Sequence, residues 1–237
     1  MVRSSSEATR EADKMLEAEI VKSMNEYLYC HGICYANEIR MGIGIPDISF
    51  NLGGNRRIKY VDDYYLFSVW DYIYIKGKTT LTDIGSKFLF SLEKVKKYVF
   101  YLAEISLVAI KHEVVRAIRN IKNARLGVTI AIEAKISDWK NGLLQAQRYL
   151  LFSDYSYLAL PEKKVKTVNK NLLQEAGIGL IAVKDKNLDV IIPAQKSTEC
   201  EYYLKYMHTS MLFDKYKKEN DKYIRKKDNI FSKYVLE

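Results

Sequence analysis

Residues 128–136, Val-Thr-Ile-Ala-Ile-Glu-Ala-Lys-Ile, constrain this chain more than any other stretch. The run is rich in β-branched residues and reads as a strand. Side chains alternate across a strand, so Val128, Ile130, Ile132 and Ala134 share one face, wholly apolar. Thr129, Ala131, Glu133 and Lys135 share the other. A carboxylate and an ammonium beside each other on a buried strand are costly unless they pair or are used. An isolated Glu-x-Lys is ordinarily a surface ion pair, and it is the neighbouring segments that give this one meaning.

The chain has 237 residues, of which 48% are hydrophobic. That is enough for one large domain or two small ones around a sizeable core. Lys plus Arg number 38 against 29 acids, a net charge of +9, with a pI near 9.2. Such a balance suits a polyanionic partner, nucleic acid first and an anionic membrane surface second. The first 14 residues contain no apolar core of a signal peptide. No run reaches the roughly 18 apolar residues of a spanning helix, so a cytoplasmic location and no membrane partner are expected. Three cysteines, an odd number, suggest a reducing compartment. Cys30, His31 and Cys34 lack a second pair of zinc ligands, because Cys200, His112 and His208 are each isolated. The two cysteines read better as small buried residues flanking a turn at Gly32.

In chain order, residues 1–10 are expected to be disordered. Residues 11–29 form a helix, with Leu16, Ile20, Met24, Tyr27 and Leu28 on one face and Gly32 as its stop. Strands follow over 33–40 and 45–50, the second opening at Pro46, with Asp47 facing the same way as Ser49. Residues 51–57 form a turn. The character then changes. Residues 64–76 read as a buried aromatic helix stopped by Gly77, and 79–83 supply caps for a short helix through Leu81, Ile84 and Phe88. Ser91 caps a helix over 92–105 with Leu92, Val95, Val99 and Leu102 inward and Lys94, Lys96, Lys97, Tyr98 and Tyr101 outward. Short strands at 107–110 and 114–118 flank the turn at Lys111, His112 and Glu113. Three helices followed by a hairpin is the order of a winged helix-turn-helix, and a basic third helix suits a major-groove reader.

After the opening strand, Ser137 caps a helix over 138–152 that carries Gln145, Arg148 and Tyr149. Strands at 156–160, 179–184 and 190–192 alternate with a lysine-rich solvated loop at 162–170 and a helix at 168–176. Residues 201–237 are basic and helical, with Tyr216, Tyr223 and Ile230 seven apart. That stripe could dock on the core, pair with a partner helix or track phosphates, and docking is the default. The fold class is therefore α/β: a mixed sheet flanked by helices. A discontinuous core at 11–61 and 120–200 is interrupted by a module at 62–119 and followed by the segment at 201–237.

Glu38, then Pro46-Asp47, then Glu133-Ala134-Lys135, then Gln145-x-x-x-Tyr149 occur in that order. This resembles the PD-(D/E)xK nuclease superfamily, whose fold is restriction-endonuclease-like. Pro46-Asp47 matches the first half of its signature, Glu133-Ala134-Lys135 the second, and the helix with Gln145 and Tyr149 its Q-x-x-x-Y element. The resemblance covers about residues 11–60 and 126–195. Compact members of the family carry the two halves on neighbouring strands of a hairpin. Here they stand 86 positions apart, with the 62–119 module between them.

The resemblance implies Mg²⁺-dependent hydrolysis of DNA phosphodiester bonds, with Mn²⁺ as a substitute. Asp47 and Glu133 supply the carboxylates such an ion prefers, and the backbone carbonyl of Ala134 joins them by resemblance. Lys135 would approach the attacking water or the scissile phosphate. Glu38 would bind through water or hold a second metal, Glu19 on the first helix is a further acid, and Gln145 would support the site. Lys94, Lys96, Lys97, Tyr98 and Arg148 are the residues expected to contact duplex DNA. A nuclease cutting both strands with one site per chain is often a dimer. The alternative is a non-catalytic DNA-binding or regulatory protein on a nuclease-like scaffold. RNA is disfavoured, since no run of sheet aromatics marks an RNA module.

Overall fold

Ile20, Met24 and Leu28 are all buried, which fixes the inward face of the first helix at the spacing expected from sequence. In this computed structural model, residues 5–184 and 187–220 are described. Helix α1, Ser5–Cys30, starts earlier than expected, so residues 5–10 are helical. It ends at Gly32, whose φ of +66° suits a residue without a side chain. Tyr27 and His31 stack at 4.0 Å. Cys34 is buried as expected, but Cys30 is exposed, because it lies in the last turn of the helix facing away from the sheet.

The chain divides into two units, one holding the residues up to Gly54 and from Leu126 onward, the other Asn55–Arg125. The first is built on strands β1 (Cys34–Asn37), β2 (Ile48–Leu52), β6 (Val128–Ala134), β7 (Tyr155–Pro161), β8 (Gly179–Lys184) and β9 (Asn187–Ile192). They lie side by side in that order as one six-stranded mixed sheet. β1, β2 and β6 are mutually antiparallel, β7 and β8 run parallel to β6, and β9 returns antiparallel. Two strands are shorter than sequence suggests. β1 ends at Asn37 because Glu38 turns into the left-handed region at φ +49°. β2 starts at Ile48, so Pro46 and Asp47 sit just before it.

One face of this sheet, including Ile48, Phe50, Ile130, Ile132 and Ala134, packs on Ile20, Met24 and Leu28 of α1. Burying each such large side chain contributes roughly 1.5–3 kcal/mol. The opposite face meets α5 (Trp139–Tyr149) and α6 (Lys170–Glu175) through Ala146, Leu158, Leu160, Leu173 and Leu180. Asp138, not Ser137, caps α5 by accepting the Asn141 N–H. Residues 162–167, expected as a loop, form a 3-10 helix that buries Val165.

Helix α7, Tyr202–Asn220, docks over β1 and β2 and buries Tyr206, Met207, Leu212, Phe213 and Tyr216. Tyr223 and Ile230 lie outside the described residues. Beneath α7, His208 is fully buried with its Nε2 2.9 Å from the Ser49 hydroxyl. Burial pushes its pKa down to about 3, so it is neutral. Lys205 at the start of α7 bonds Asp154 and the Gly127 carbonyl, at 2.8 and 2.9 Å. No helix among the described residues is long and apolar enough to cross a membrane.

The second unit contains α2 (Tyr64–Lys76), β3 (Thr79–Thr80), α3 (Leu81–Phe88), α4 (Leu92–Glu104), β4 (Val108–Lys111) and β5 (Val114–Ala117). Asp63 caps α2, a Thr80–Asp83 capping box opens α3, and Ser91 caps α4. Leu66, Phe67, Val69, Trp70 and Ile73 of α2 are buried, as are Ile84, Val95, Val99 and Leu102. Strand order is β3-β5-β4. His112 and Glu113 both adopt positive φ in the two-residue turn that joins β4 to β5.

Two expectations on α4 are corrected. Leu92 is half exposed, and Tyr98 is buried instead of facing outward. Positions 95, 98, 99 and 102 make one continuous stripe, so Tyr98 lies on the core side. Its hydroxyl donates to Asp63 at 2.7 Å. Burial and that carboxylate push its pKa up to about 12.

Candidate active site

The pairing of β2 with β6 decides what the two acids can do. Ile48 lies opposite Ile132, so Asp47 stands one step further on, level with Glu133. Two residues 86 positions apart in sequence thereby meet on neighbouring strands. The alternation expected for β6 holds: Ile130, Ile132 and Ala134 face α1, and Glu133 faces α5. Asp47 Oδ2 accepts the Ala134 N–H at 2.7 Å. That bond replaces the ladder partner that a strand beginning at Pro46 would have needed. It fixes the Asp47 carboxylate against the end of β6.

Glu133 is 2% exposed and is held from two sides. Its Oε1 takes a hydrogen bond from the Lys135 ammonium at 2.5 Å. Its Oε2 accepts from the Tyr149 hydroxyl, which also lies 3.1 Å from the Ile45 carbonyl. Tyr149 thus ties helix α5 to strand β6 and to the loop that carries Asp47. Gly44 lets that loop lie against the ring, since a Cβ there would come within 2.7 Å of the Tyr149 Cε1.

The electrostatics are those of like charges taken out of water. Burial raises the pKa of Glu133, and the Asp47 charge raises it further against the opposing bonds from Lys135 and Tyr149. Burial also raises Asp47, with the Ala134 N–H and Lys135 pulling it down and Glu38 pushing it up. Burial works to lower Lys135, but Glu133, with added help from Glu17 and Asp47, leaves it above the ordinary lysine value. Lys135 is therefore a firmly held cation beside two strained carboxylates.

The other expected residues divide. Glu38 is exposed and adds charge near Asp47. Among the described residues no group of three His, Cys, Asp or Glu side chains is placed to hold a metal ion. Glu19 is exposed; the α1 acid whose charge reaches Lys135 is Glu17. Its signal was in the sequence, because Glu17 falls three residues before Ile20 and seven before Met24, on the buried stripe. Gln145 is half buried, and among the described residues its Oε1 has no hydrogen-bond partner and no hydrogen bond joins it to the acids. Arg148 is exposed beside Tyr149, close enough for its charge to act on that hydroxyl. Tyr98 is removed from the expected DNA-contacting set by its burial. Lys94 lies 3.8 Å from the Phe90 ring centroid, while Lys96 and Lys97 are exposed. Lys97 lines a cavity of about 470 Å³ whose walls include Asp62, Asp63 and Glu104, so its surroundings are acidic.

Gly142 was not anticipated. A Cβ there would come within 2.6 Å of Leu158 Cδ1 and 2.8 Å of Lys135 Cγ. A helix gains roughly 1 kcal/mol when an interior glycine becomes alanine, whereas overpacking a core costs about 1–3 kcal/mol. Gly142→Ala is therefore expected to leave the melting temperature unchanged or lower, because Leu158 and Lys135 must give way to the new Cβ. A clear rise in melting temperature would show that both shift freely.

The donor set suits a hard divalent cation. Two carboxylates lie together, each better off with a positive charge between them. Mg²⁺ is commonly held by one or two carboxylates and several waters. No family model matches the chain, and no curated protein matches it. A protein of unknown function from Silicibacter pomeroyi has a similar solved structure, with TM-score 0.42 and 12% identity over 86% of each chain.

Proposed function

We propose that this protein is a divalent-metal-dependent DNA endonuclease with a core of the PD-(D/E)xK type and an inserted winged-helix module. One observation carries the reading: Asp47 and Glu133 converge on adjacent strands, with Lys135 bonded to Glu133. The order α1, β1, β2, β6, α5, β7, with three antiparallel strands followed by a parallel one, supports the core assignment. The order α2, β3, α3, α4, β4, β5, with β5 between β3 and β4, supports the winged helix.

Asp47, Glu133 and the Ala134 carbonyl would hold Mg²⁺, which when bound neutralises phosphate charge and acidifies a water. The chain's own groups do the rest. Lys135, kept protonated by Glu133, offers positive charge to a phosphate oxygen as charge develops there. Tyr149 holds Glu133 in one orientation, and the Ala134 N–H does the same for Asp47. Arg148, exposed at the end of α5, is placed to take a neighbouring phosphate. Water adds across the P–O bond, and the departing sugar oxygen leaves with a proton.

A panel of closed circular, linear, nicked, branched and single-stranded DNA, incubated with Mg²⁺, Mn²⁺ or chelator, tests this. Cutting of the closed circle in either metal, and none in chelator, is the expected result. Binding without cutting under every cation would favour a DNA-binding protein on a nuclease-like scaffold.

A further inference from the structure

Two segments distant in sequence meet where residues 55–125 join the sheet unit. Gly127, at φ +70°, lies so near Gly54 that a Cβ on it would come within 2.3 Å of the Gly54 nitrogen. Beyond this contact the Asn55 N–H bonds the Arg125 carbonyl at 2.8 Å. The Asn55 side chain accepts the Arg57 N–H at 3.0 Å, and the Ile58 N–H returns to the Asn55 carbonyl. This tight turn presents Arg56 and Arg57 beside Arg125. On the returning segment Asn120 caps a 3-10 turn at Ile121–Asn123, fixing the path between Arg119 and Arg125. Arg56, Arg57, Arg119 and Arg125 are all exposed.

Neither segment contains an acid: none occurs from 48 to 61 or from 114 to 132. On the returning segment a cation falls every third residue, at Arg116, Arg119, Lys122 and Arg125. Lys122 is engaged with Asp71 at 3.5 Å and is not counted. Helix α4, by contrast, carries Glu93 and Glu104 among its lysines.

We propose that this neck, centred on Arg57, Arg119 and Arg125, is a phosphate-gripping surface for duplex DNA. The proposal rests on the nuclease reading of Asp47 and Glu133 for its choice of partner. Arginine suits the task because its planar fork takes two phosphate oxygens at once.

The test measures binding of a 30-base-pair duplex (a length of about three helical turns) by fluorescence anisotropy in chelator, across a salt series. The natural protein is compared with the triple variant Arg57→Gln, Arg119→Gln, Arg125→Gln. A second triple, Lys163→Gln, Lys164→Gln, Lys166→Gln, removes equal charge from another exposed surface. Each lost phosphate contact lowers the slope of log K against log salt by about 0.9. The neck triple should therefore lose about 2 to 3 from the slope and bind at least about tenfold more weakly. The second triple should bind as the natural protein does. Replacing the three arginines by lysine should restore most of the slope, which separates lost charge from lost folding. Equal losses in both glutamine triples, or none in the neck triple, would overturn the proposal. Binding through the neck with no cutting in metal would sink the nuclease reading and leave the grip standing. Cutting with an unchanged salt slope in the neck triple would sink the grip alone.

Discussion

If the proposed nuclease reading holds, Asp47→Asn is expected to slow metal-dependent cleavage by about a hundred- to a thousandfold while leaving the melting temperature unchanged or higher. The asparagine Oδ1 can still accept the Ala134 N–H, which Asp47 takes at 2.7 Å, so the loop keeps its anchor. What disappears is a negative charge that burial disfavours and that raises the pKa of Glu133. Removing one of two crowded buried carboxylates relieves the folded state. In the proposed site the same charge would hold the cation, and losing one charged transition-state contact commonly costs about 10²–10³ in rate. Parallel cleavage kinetics and thermal melts check the pair of effects. A variant that loses activity because it melts far lower would mean that Asp47 is structural.

Lys135→Met has the opposite signature. Glu133 is buried, and its Oε1 bonds the Lys135 ammonium at 2.5 Å. Removing one partner of a buried pair leaves an uncompensated charge and typically costs about 3–5 kcal/mol. The loss should depend on pH. Glu133 already has a raised pKa, and without Lys135 it rises further. The folded state then holds a proton that the unfolded state releases above the usual carboxylate range, so stability falls as pH rises through that window. The Lys135→Met defect should be small near pH 4 and full at neutral pH. Adding Glu133→Gln to the same chain should recover most of the stability and none of the cleavage. Denaturant melts at two pH values measure this. A defect equal at both would show that packing of the lysine stem, not its charge, was lost.

Much of this was legible in sequence because the apolar patterns are local. The alternation of 128–136 gives each residue of β6 its face, and the possible caps within 79–83, the cap at Ser91 and the stop at Gly77 mark three helices. The site was legible as residue types in order, but their meeting depends on β2 pairing with β6 across a long insertion. That pairing is a property of strand register. The misses have physical causes. Glu19 is the α1 acid expected near the site, but Glu17 shares the stripe of Ile20 and Met24, and it is Glu17 whose charge reaches Lys135. Tyr98 stands among lysines in sequence, but its spacing from Val95 and Leu102 puts it inside, where it meets Asp63. Gly44 and Gly142 were invisible because a missing side chain announces nothing until the ring of Tyr149 or the stem of Lys135 is seen against it. Arg57 and Arg125 are far apart in sequence and come side by side only through the bond from Asn55 to Arg125.

The central claim is that Asp47 and Glu133 together hold a divalent cation. Calorimetric titration of Mn²⁺ into the DNA-free protein, compared with Asp47→Asn and Glu133→Gln, tests it most directly. The account predicts a saturable site in the natural protein whose affinity falls about tenfold or more in each variant, since each removes one of the paired charges. No binding by the natural protein, or equal affinity in all three, would contradict it.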